Sequence, residues 1–396
     1  MSTNISIQNR IVLIDAIRGY ALMGLFLIHM VEYYELYWYK PVPDPINTWM
    51  FNLFGGKAYA IFALLFGLSF YIILQRNADR GTDFRWRFVW RITLLFAMGY
   101  LHTLIYSGEI LQLLAVAGLL LVPLWRAPSW LVLSLSAFFL LQCTAYIFIF
   151  AFDHSQFAHC QNALSEYRGK VFESYAYGNL VGVLRANAWM GNIGKWDFML
   201  ESGRVANILG LSILGLWLGR SGFFINVARY GRWYLPLLVI SIVGAIVAKY
   251  CTGLFLAIPH PELVNGMWSN IIKTYFNLML TFTSVLTFVV LYRSALLQRV
   301  LSLLAAPGRM TLSFYVGQSV FCVPLFYNFG LGLYAGIGQF WSLMLGLLLW
   351  VLQVAFANWW IKRFHYGPLE WCWRAATYLS AGIPFRRKVA IASTRQ

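Results

Sequence analysis

Apolar residues run through this chain in long unbroken stretches, separated by short segments that carry most of the charge. Ten stretches approach the roughly 20 residues that a helix needs to cross the hydrocarbon core of a bilayer: residues 11–31, 49–75, 88–106, 109–126, 129–152, 203–222, 233–256, 268–292, 309–328 and 334–361. None alternates apolar and polar residues as a barrel strand would, and backbone groups in lipid must find partners within their own segment, so each is predicted to be a helix. The expected fold is an all-α polytopic membrane protein of about ten transmembrane helices. Asp15 and Arg18 interrupt the first stretch, and Glu32-Tyr33-Tyr34-Glu35 follows where small residues would mark a cleavage site, so it does not read as a removable signal peptide.

Composition excludes an ordinary soluble domain. Of the 396 residues 60% are hydrophobic, 18% aromatic and only 11% charged, against about 25% charged in typical soluble domains. The formal charge of +16, from 30 Lys and Arg against 14 Asp and Glu, suggests a nucleic-acid partner only if it gathers on one water-facing domain. It does not. With the N-terminus inside, twenty of the Lys and Arg fall in cytoplasmic loops and the C-terminal tail and five in outer loops. That bias predicts both termini in the cytoplasm, with the bilayer rather than a polyanion as partner.

The chain reads as a single transmembrane domain over residues 1–396, with no linker and no internal repeat of the kind that builds many secondary transporters. Its one long extracytoplasmic loop, 153–202, mixes Tyr, Trp189 and Trp196 with charges. It suits amphipathic helices, either as a lid or acceptor platform or as a solvated interfacial hairpin. Residues 375–396 form a basic cytoplasmic tail. Cys143, Cys160, Cys251, Cys322 and Cys372 show no metal-ligand spacing, and only Cys160 and Cys251 would meet outside the membrane.

Ionisable residues within spans are expensive and point to function. Asp15 and Arg18 are three residues apart and can pair on one helix face. At about 100° per residue, the eleven steps from Arg18 to His29 close to within about 20° of three turns, so the two share a face about 16 Å apart along the axis. Lys57, His102 and Glu109 fall at the same outer depth as His29. Two imidazoles, an ammonium and a carboxylate in an apolar bundle suit general acid-base chemistry or a proton relay. Lys57 reads equally as a snorkelling residue, and Asp15 with Arg18 as a structural ion pair. The run RWRFVWR at 85–91 reads first as a cytoplasmic anchor and second as a dock, through Arg85 and Arg87, for an anionic cofactor head group. Walker, nucleophile-elbow and HExxH motifs are absent.

Six stretches, in order, carry a resemblance: LIDAIRGYALMG at 13–24, FALLFGLSF at 62–70, LHTLIYSGEIL at 101–111, LGRSGFF at 218–224, PGRMTLSFYVGQS at 307–319 and GPLEWCWR at 367–374. The chain resembles the YeiB-like bacterial membrane proteins over most of its length. These look related to a superfamily of transmembrane acyltransferases that includes bacterial polysaccharide O-acetyltransferases and lysosomal heparan N-acetyltransferase. The resemblance implies a bacterial cytoplasmic (inner) membrane protein taking acyl groups from cytoplasmic acyl-CoA, acetyl-CoA first among them. The polysaccharide enzymes carry an Arg and a His separated by ten residues in their first span. Arg18 and His29 match that spacing, which implies Arg18 at the CoA phosphates and His29 at the thioester. Many YeiB-like proteins have Asn at the position of His29, which makes His102 the alternative, and Phe314 stands where an Asn is common.

The reading is therefore an acyl-CoA-dependent O- or N-acyltransferase without a metal, acting on a saccharide, lipid or small-molecule acceptor of the membrane or envelope. His29 or His102 is the base, Glu109 orients an imidazole, and Lys57 faces the oxyanion. The alternative from another class is a transporter using the same His, Lys and Glu for substrate or protons. A non-catalytic assembly partner is the third reading.

Overall fold

The computed structural model describes residues 2–151, 155–256 and 262–387. The helices in chain order are α1 Ser2–Val31, α2 Pro45–Leu53, α3 Ala58–Ala78, α4 Arg85–Thr103, α5 Leu111–Leu124, α6 Ser129–Leu140 and α7 Cys143–Ala151. After them come α8 Ser155–Tyr177, α9 Leu180–Ala186, α10 Asn192–Glu201, α11 Arg204–Ser221, α12 Val227–Tyr230, α13 Tyr234–Leu256 and α14 Glu262–Leu291. The chain ends in α15 Ala295–Leu301, α16 Ala305–Arg309, α17 Thr311–Phe326, α18 Gly338–Arg363 and α19 Pro368–Tyr378. Among the described residues there is no strand, only an isolated bridge between Phe364 and Arg386.

All ten predicted stretches lie on helices, but not all are simple spans. Five helical segments are long and apolar enough to cross a membrane: Val12–Val31, Pro45–Ala78, Tyr234–Leu254, Gly266–Leu291 and Gly338–Arg363. The number rises to seven if two bent pairs, α6 with α7 (57°) and Leu180–Glu201 with α11 (70°), are each one span. The apolar α5 and α17 are shorter. The break in the stretch at 129–152 falls at Gln142, whose φ of 55° is left-handed and cannot continue a helix.

Packing places α1 at the centre, against α3, α16, α17 and α18. A second tight pair is α3 with α11. A Cβ at Gly67 would strike the Ser212 carbonyl and one at Gly215 the Leu64 carbonyl, so both glycines are needed for the backbones to touch. The Ser212 hydroxyl then donates across the seam to Ala63 O at 3.2 Å. The α13 and α14 hairpin is peripheral: only 11% of the α13 span is buried, as expected of a face turned to lipid.

Two of the quoted stretches lock each other. Glu370, in α19, accepts hydrogen bonds from the first-turn amides of α17, Leu312 N at 2.7 Å and Ser313 N at 3.0 Å, and from the Ser313 hydroxyl. It is a helix cap supplied from elsewhere in the chain. Trp373 Nε1 donates to Arg91 O at 2.9 Å, tying α19 to α4 as well. In the LGRSGFF stretch, Arg220 donates to the carbonyls of Leu124, Trp125 and Ala127, satisfying the free C-terminal end of α5. The tail folds back at Phe385 and Arg387 onto the end of α18. Its residues beyond Arg387, like Asp153 at the start of the outer loop, lie outside the described residues, as does the side chain of Cys160. Cys251 is a free thiol.

Candidate functional site: two cavities on one face of the first helix

Arg18, Leu25 and His29 lie along one face of α1, as the helical period requires. Each opens onto a cavity. A lower cavity of about 290 Å³ takes in Arg18 and an upper one of about 610 Å³ takes in His29, while Leu25, Ile110 and Tyr315 line both. The two cavities therefore meet at those three side chains. The Tyr315 hydroxyl is fixed there by Ile110 N at 3.2 Å.

The upper cavity is built around the end of α1. Tyr33, Tyr34 and Glu35 follow the helix with φ of 51°, 52° and 79°. Three successive left-handed non-glycine residues are costly, about 1–3 kcal/mol each, and persist only where surrounding structure imposes them. Here Tyr34 N donates to His29 O at 2.7 Å, and the Tyr327 hydroxyl donates to Tyr34 O at 3.1 Å. The run turns Glu35 back toward His29. The Tyr106 hydroxyl sits between them, 2.8 Å from His29 Nδ1 and donating to Glu35 Oε1 at 3.4 Å. Glu32 Oε2 lies 3.6 Å from His29 Nδ1, and its other oxygen accepts from Trp38 Nε1 at 2.7 Å. Gly108 admits this arrangement, because a Cβ there would collide with both Glu35 Oε1 and the Tyr106 hydroxyl.

The other residues expected at this depth separate. His102 is buried behind Tyr106 and Tyr315, with ring centroids 6.1 and 5.2 Å away, and neither ring nitrogen has a hydrogen-bond partner among the described residues. It lines neither cavity. Glu109 is fully buried, but it orients no imidazole among the described residues. It accepts from Leu111 N and from Gln112 N at 3.4 Å, capping α5, and pairs with Lys195 Nζ at 3.5 Å. The carboxylates beside an imidazole are Glu32 and Glu35 instead. Lys57 donates to Phe51 O at 2.9 Å, closing the C-terminal end of α2, with the Phe276 ring 5.9 Å away. Its ammonium is occupied there, and the residue is not among those that line the upper cavity, where it was expected to face an oxyanion.

The outer segment 153–202 enters the wall of the upper cavity. The Tyr175 hydroxyl donates to Asn187 Oδ1 at 2.5 Å and lies 2.7 Å from Ser107 Oγ, while Asn187 Nδ2 donates to Leu104 O at 3.1 Å. These bonds pin α8 and the π-helical turn Asn187–Gly191 to the loop between α4 and α5. Lys195 is thereby buried, donating to Thr103 Oγ1 at 3.0 Å beside Glu109. Lys195 lies in the predicted outer loop, Glu32 stands three residues after His29 at helical spacing, and Tyr106, Glu35 and Tyr315 have no helical register with His29. For Tyr106 its place within LHTLIYSGEIL was the available signal.

The lower cavity is lined by Arg18, Ser69, Arg91, Arg309, Glu370 and Trp373 among others. Arg18 donates to Asp15 Oδ1 at 2.7 Å and to the Ser69 hydroxyl, so the ion pair read from the spacing exists and a second bond aims the guanidinium. The Arg91 guanidinium lies 3.6 Å from the Trp373 ring centroid. Glu370 is committed to α17, which leaves three arginines without a free carboxylate among the cavity's lining residues. Of the basic run, Arg91 reaches the cavity and Arg85 and Arg87 do not. Arg85 is exposed and clamped to Asp83 at 2.7 Å, and its hydrogen bonds hold the Asp83 carboxyl down to about 2. Arg87, one turn from Arg91, lies over the Tyr378 ring at 5.3 Å. Among the described residues no group of His, Cys, Asp and Glu has the arrangement of a metal site.

Two family profiles match the chain. Residues 10–166 match one described as heparan-alpha-glucosaminide N-acetyltransferase, catalytic, and residues 218–380 match one described as protein of unknown function (DUF418). The chain is 24% identical to the uncharacterized protein YxaH of Bacillus subtilis (strain 168), covering 94% of this chain and 95% of the relative. It is 26% identical to an uncharacterized 39.9 kDa protein in the amylase 3' region of Bacillus acidopullulyticus, over 94% and 95%. It is also 26% identical to the uncharacterized protein YeiB of Escherichia coli (strain K12), over 95% and 98%. The resemblance read from the six stretches holds along nearly the whole chain.

Proposed function

We propose, from a chain that is YeiB-like along nearly its full length, that this multi-pass membrane protein is an acyltransferase that moves an acyl group from acyl-CoA to a hydroxyl or amine. The match of residues 10–166 to an N-acetyltransferase catalytic profile supports the reaction type. The observation that carries the reading is the pair of cavities meeting at Leu25, Ile110 and Tyr315, with arginines at one end and an imidazole at the other.

In this reading the lower cavity faces the cytoplasm and receives the donor. Arg18, Arg91 and Arg309 hold the phosphates of CoA, because guanidinium forks suit phosphate oxygens. The pantetheine arm passes Leu25 and Ile110. Its thioester then reaches His29, about 16 Å along α1 from Arg18. The acceptor hydroxyl or amine enters from the upper cavity. His29 Nε2 takes its proton as the new bond to the acyl carbon forms, while Nδ1–H donates to Tyr106 and Tyr106 donates to Glu35, fixing the tautomer. Glu32 and Glu35 stabilise the imidazolium. The carbon–sulfur bond breaks, and the imidazolium returns the proton to the departing CoA thiolate. His102, enclosed and facing neither cavity, supports the Tyr106 and Tyr315 rings.

The finer topology belongs to the same proposal: ten membrane passages, with α4, α5 and α17 among them, in the bacterial cytoplasmic membrane, with both termini inside. A C-terminal reporter active only on the outer face would refute it.

The decisive experiment is binding of labelled acetyl-CoA to the purified protein in nanodiscs. Saturable binding, competed by free CoA and weakened at least about tenfold in Arg18→Ala and Arg91→Ala, is expected. Absence of binding by acetyl-, longer-chain acyl- and free CoA would overturn the proposal. Solute movement through liposomes without acyl-CoA would make the same two cavities a transport path.

A further inference from the structure

Four basic residues line the upper cavity: Arg168, Lys195, Arg204 and Lys273. Two are already neutralised. Arg168 lies 3.7 Å from Asp197 and 3.6 Å from Glu201, and Lys195 pairs with Glu109. The other two differ. Arg204 is half-buried, its guanidinium held between the rings of Phe198, 4.6 Å away, and Tyr59, 5.3 Å away, and it makes no hydrogen bond or ion pair among the described residues. Ring stacking fixes the plane of a guanidinium and leaves its edge of N–H donors free to receive a ligand. Lys273, on α14, is exposed at the cavity's edge and has no carboxylate within ion-pair distance among the described residues.

The cavity's acids give Arg204 no hydrogen-bonded partner, although Glu35 attracts it through space. Glu32 is held by Trp38 and Glu35 by Tyr106, both beside His29. The cavity therefore holds an imidazole, two carboxylates committed to Trp38 and Tyr106, and a guanidinium with free donors, in a lining rich in aromatic and aliphatic side chains such as Phe51, Phe54, Phe172 and Met199. A half-buried guanidinium with free N–H donors can receive a phosphate through two parallel hydrogen bonds. Two cations also match the charge of about −1.5 to −2 on a phosphate monoester.

We propose that the upper cavity holds its acyl acceptor by a phosphate group received on Arg204 and supported by Lys273, leaving the acceptor's hydroxyl or amine at His29. The inference rests on the acyltransferase reading for the word acceptor, but the binding it predicts is independent of the donor.

The test uses the full-length protein in neutral detergent and reads bound ligand by native mass spectrometry. Probes are phosphatidic acid, diacylglycerol with the same chains, and glycerol 3-phosphate. Wild type is expected to retain a phosphate probe at least about tenfold more tightly than diacylglycerol. Arg204→Gln removes that preference, Arg204→Lys keeps part of it, and Lys273→Gln weakens it by about threefold. Arg85→Gln, an exposed loss of the same charge, leaves it unchanged, and an unchanged unfolding temperature shows that each variant is folded. Preference for phosphatidic acid over glycerol 3-phosphate assigns the phosphate to a lipid, and the reverse assigns it to a free sugar or polyol phosphate; both support the site. Equal binding of phosphate probes by wild type and Arg204→Gln overturns it. The readout needs no acyl-CoA, and excess free CoA added as competitor occupies the arginines of the lower cavity, so a failure here is separable from a failure of acyl-CoA binding.

Discussion

The two cavities are assembled in different ways. Most of the lower one's lining comes from the stretches that carry the family resemblance: Arg18 from the first, Phe62, Leu65, Ser69 and Phe70 from the second, Arg309, Thr311 and Leu312 from the fifth, Glu370 and Trp373 from the last, with Arg91 and other α4 residues from outside them. The upper one takes His29 and Glu35 from beyond the first stretch and much of its wall from α8, α10 and the start of α11, outside those stretches, with Arg168, Lys195 and Arg204 among them. A site for one invariant ligand can be written in short motifs, whereas a site for an acceptor that differs between relatives is free to be built from the rest of the chain. The contrast fits a common donor below and a protein-specific acceptor above. It also explains why Glu370 and Ser313 are bound to each other: α19 caps α17 and so sets the position of Arg309, Leu312 and Tyr315 along the lower cavity.

The largest effect that separates the two ends is expected for His29→Ala. Acyl transfer should fall by about 100-fold or more, while acetyl-CoA affinity stays within about twofold, because the imidazole acts on the acceptor's proton and not on the CoA phosphates. Equal losses in affinity and turnover, measured by equilibrium binding and thiol release, would erase the division between the cavities. Tyr106→Phe should be milder, lowering kcat by about tenfold with KM for acyl-CoA little changed, since it removes one hydrogen bond that orients His29 and keeps the ring. A change in KM alone would make Tyr106 a packing residue. The smallest effect should come from Arg85→Ala: its guanidinium is already clamped to Asp83 outside the lower cavity, so acetyl-CoA binding should stay within about twofold. A tenfold loss would extend the donor site beyond the cavity, to the basic run.

Relations along one helix were legible: the Asp15 and Arg18 pair, and Arg18 with His29 on one face, follow from spacing alone. Relations between helices were not. His29, His102, Lys57 and Glu109 were equal in depth, and depth could not say that Lys57 closes α2, that Glu109 closes α5 against Lys195, or that His102 faces neither cavity. Glu35 joins His29 because three left-handed residues reverse the chain after α1, and Tyr106 because the loop between α4 and α5 packs against α1.

What the sequence by itself determined was the helical, membrane-spanning class, through the length of its apolar runs, and the one-face relation of Arg18 to His29, through the period of the helix. The tertiary structure alone decided which ionisable groups serve the fold and which face a cavity. The reason is physical: a helix's register is a local property of consecutive residues, but whether a buried charge is spent on a helix end, on an ion pair or on a ligand depends on what packing brings within about 3 Å of it.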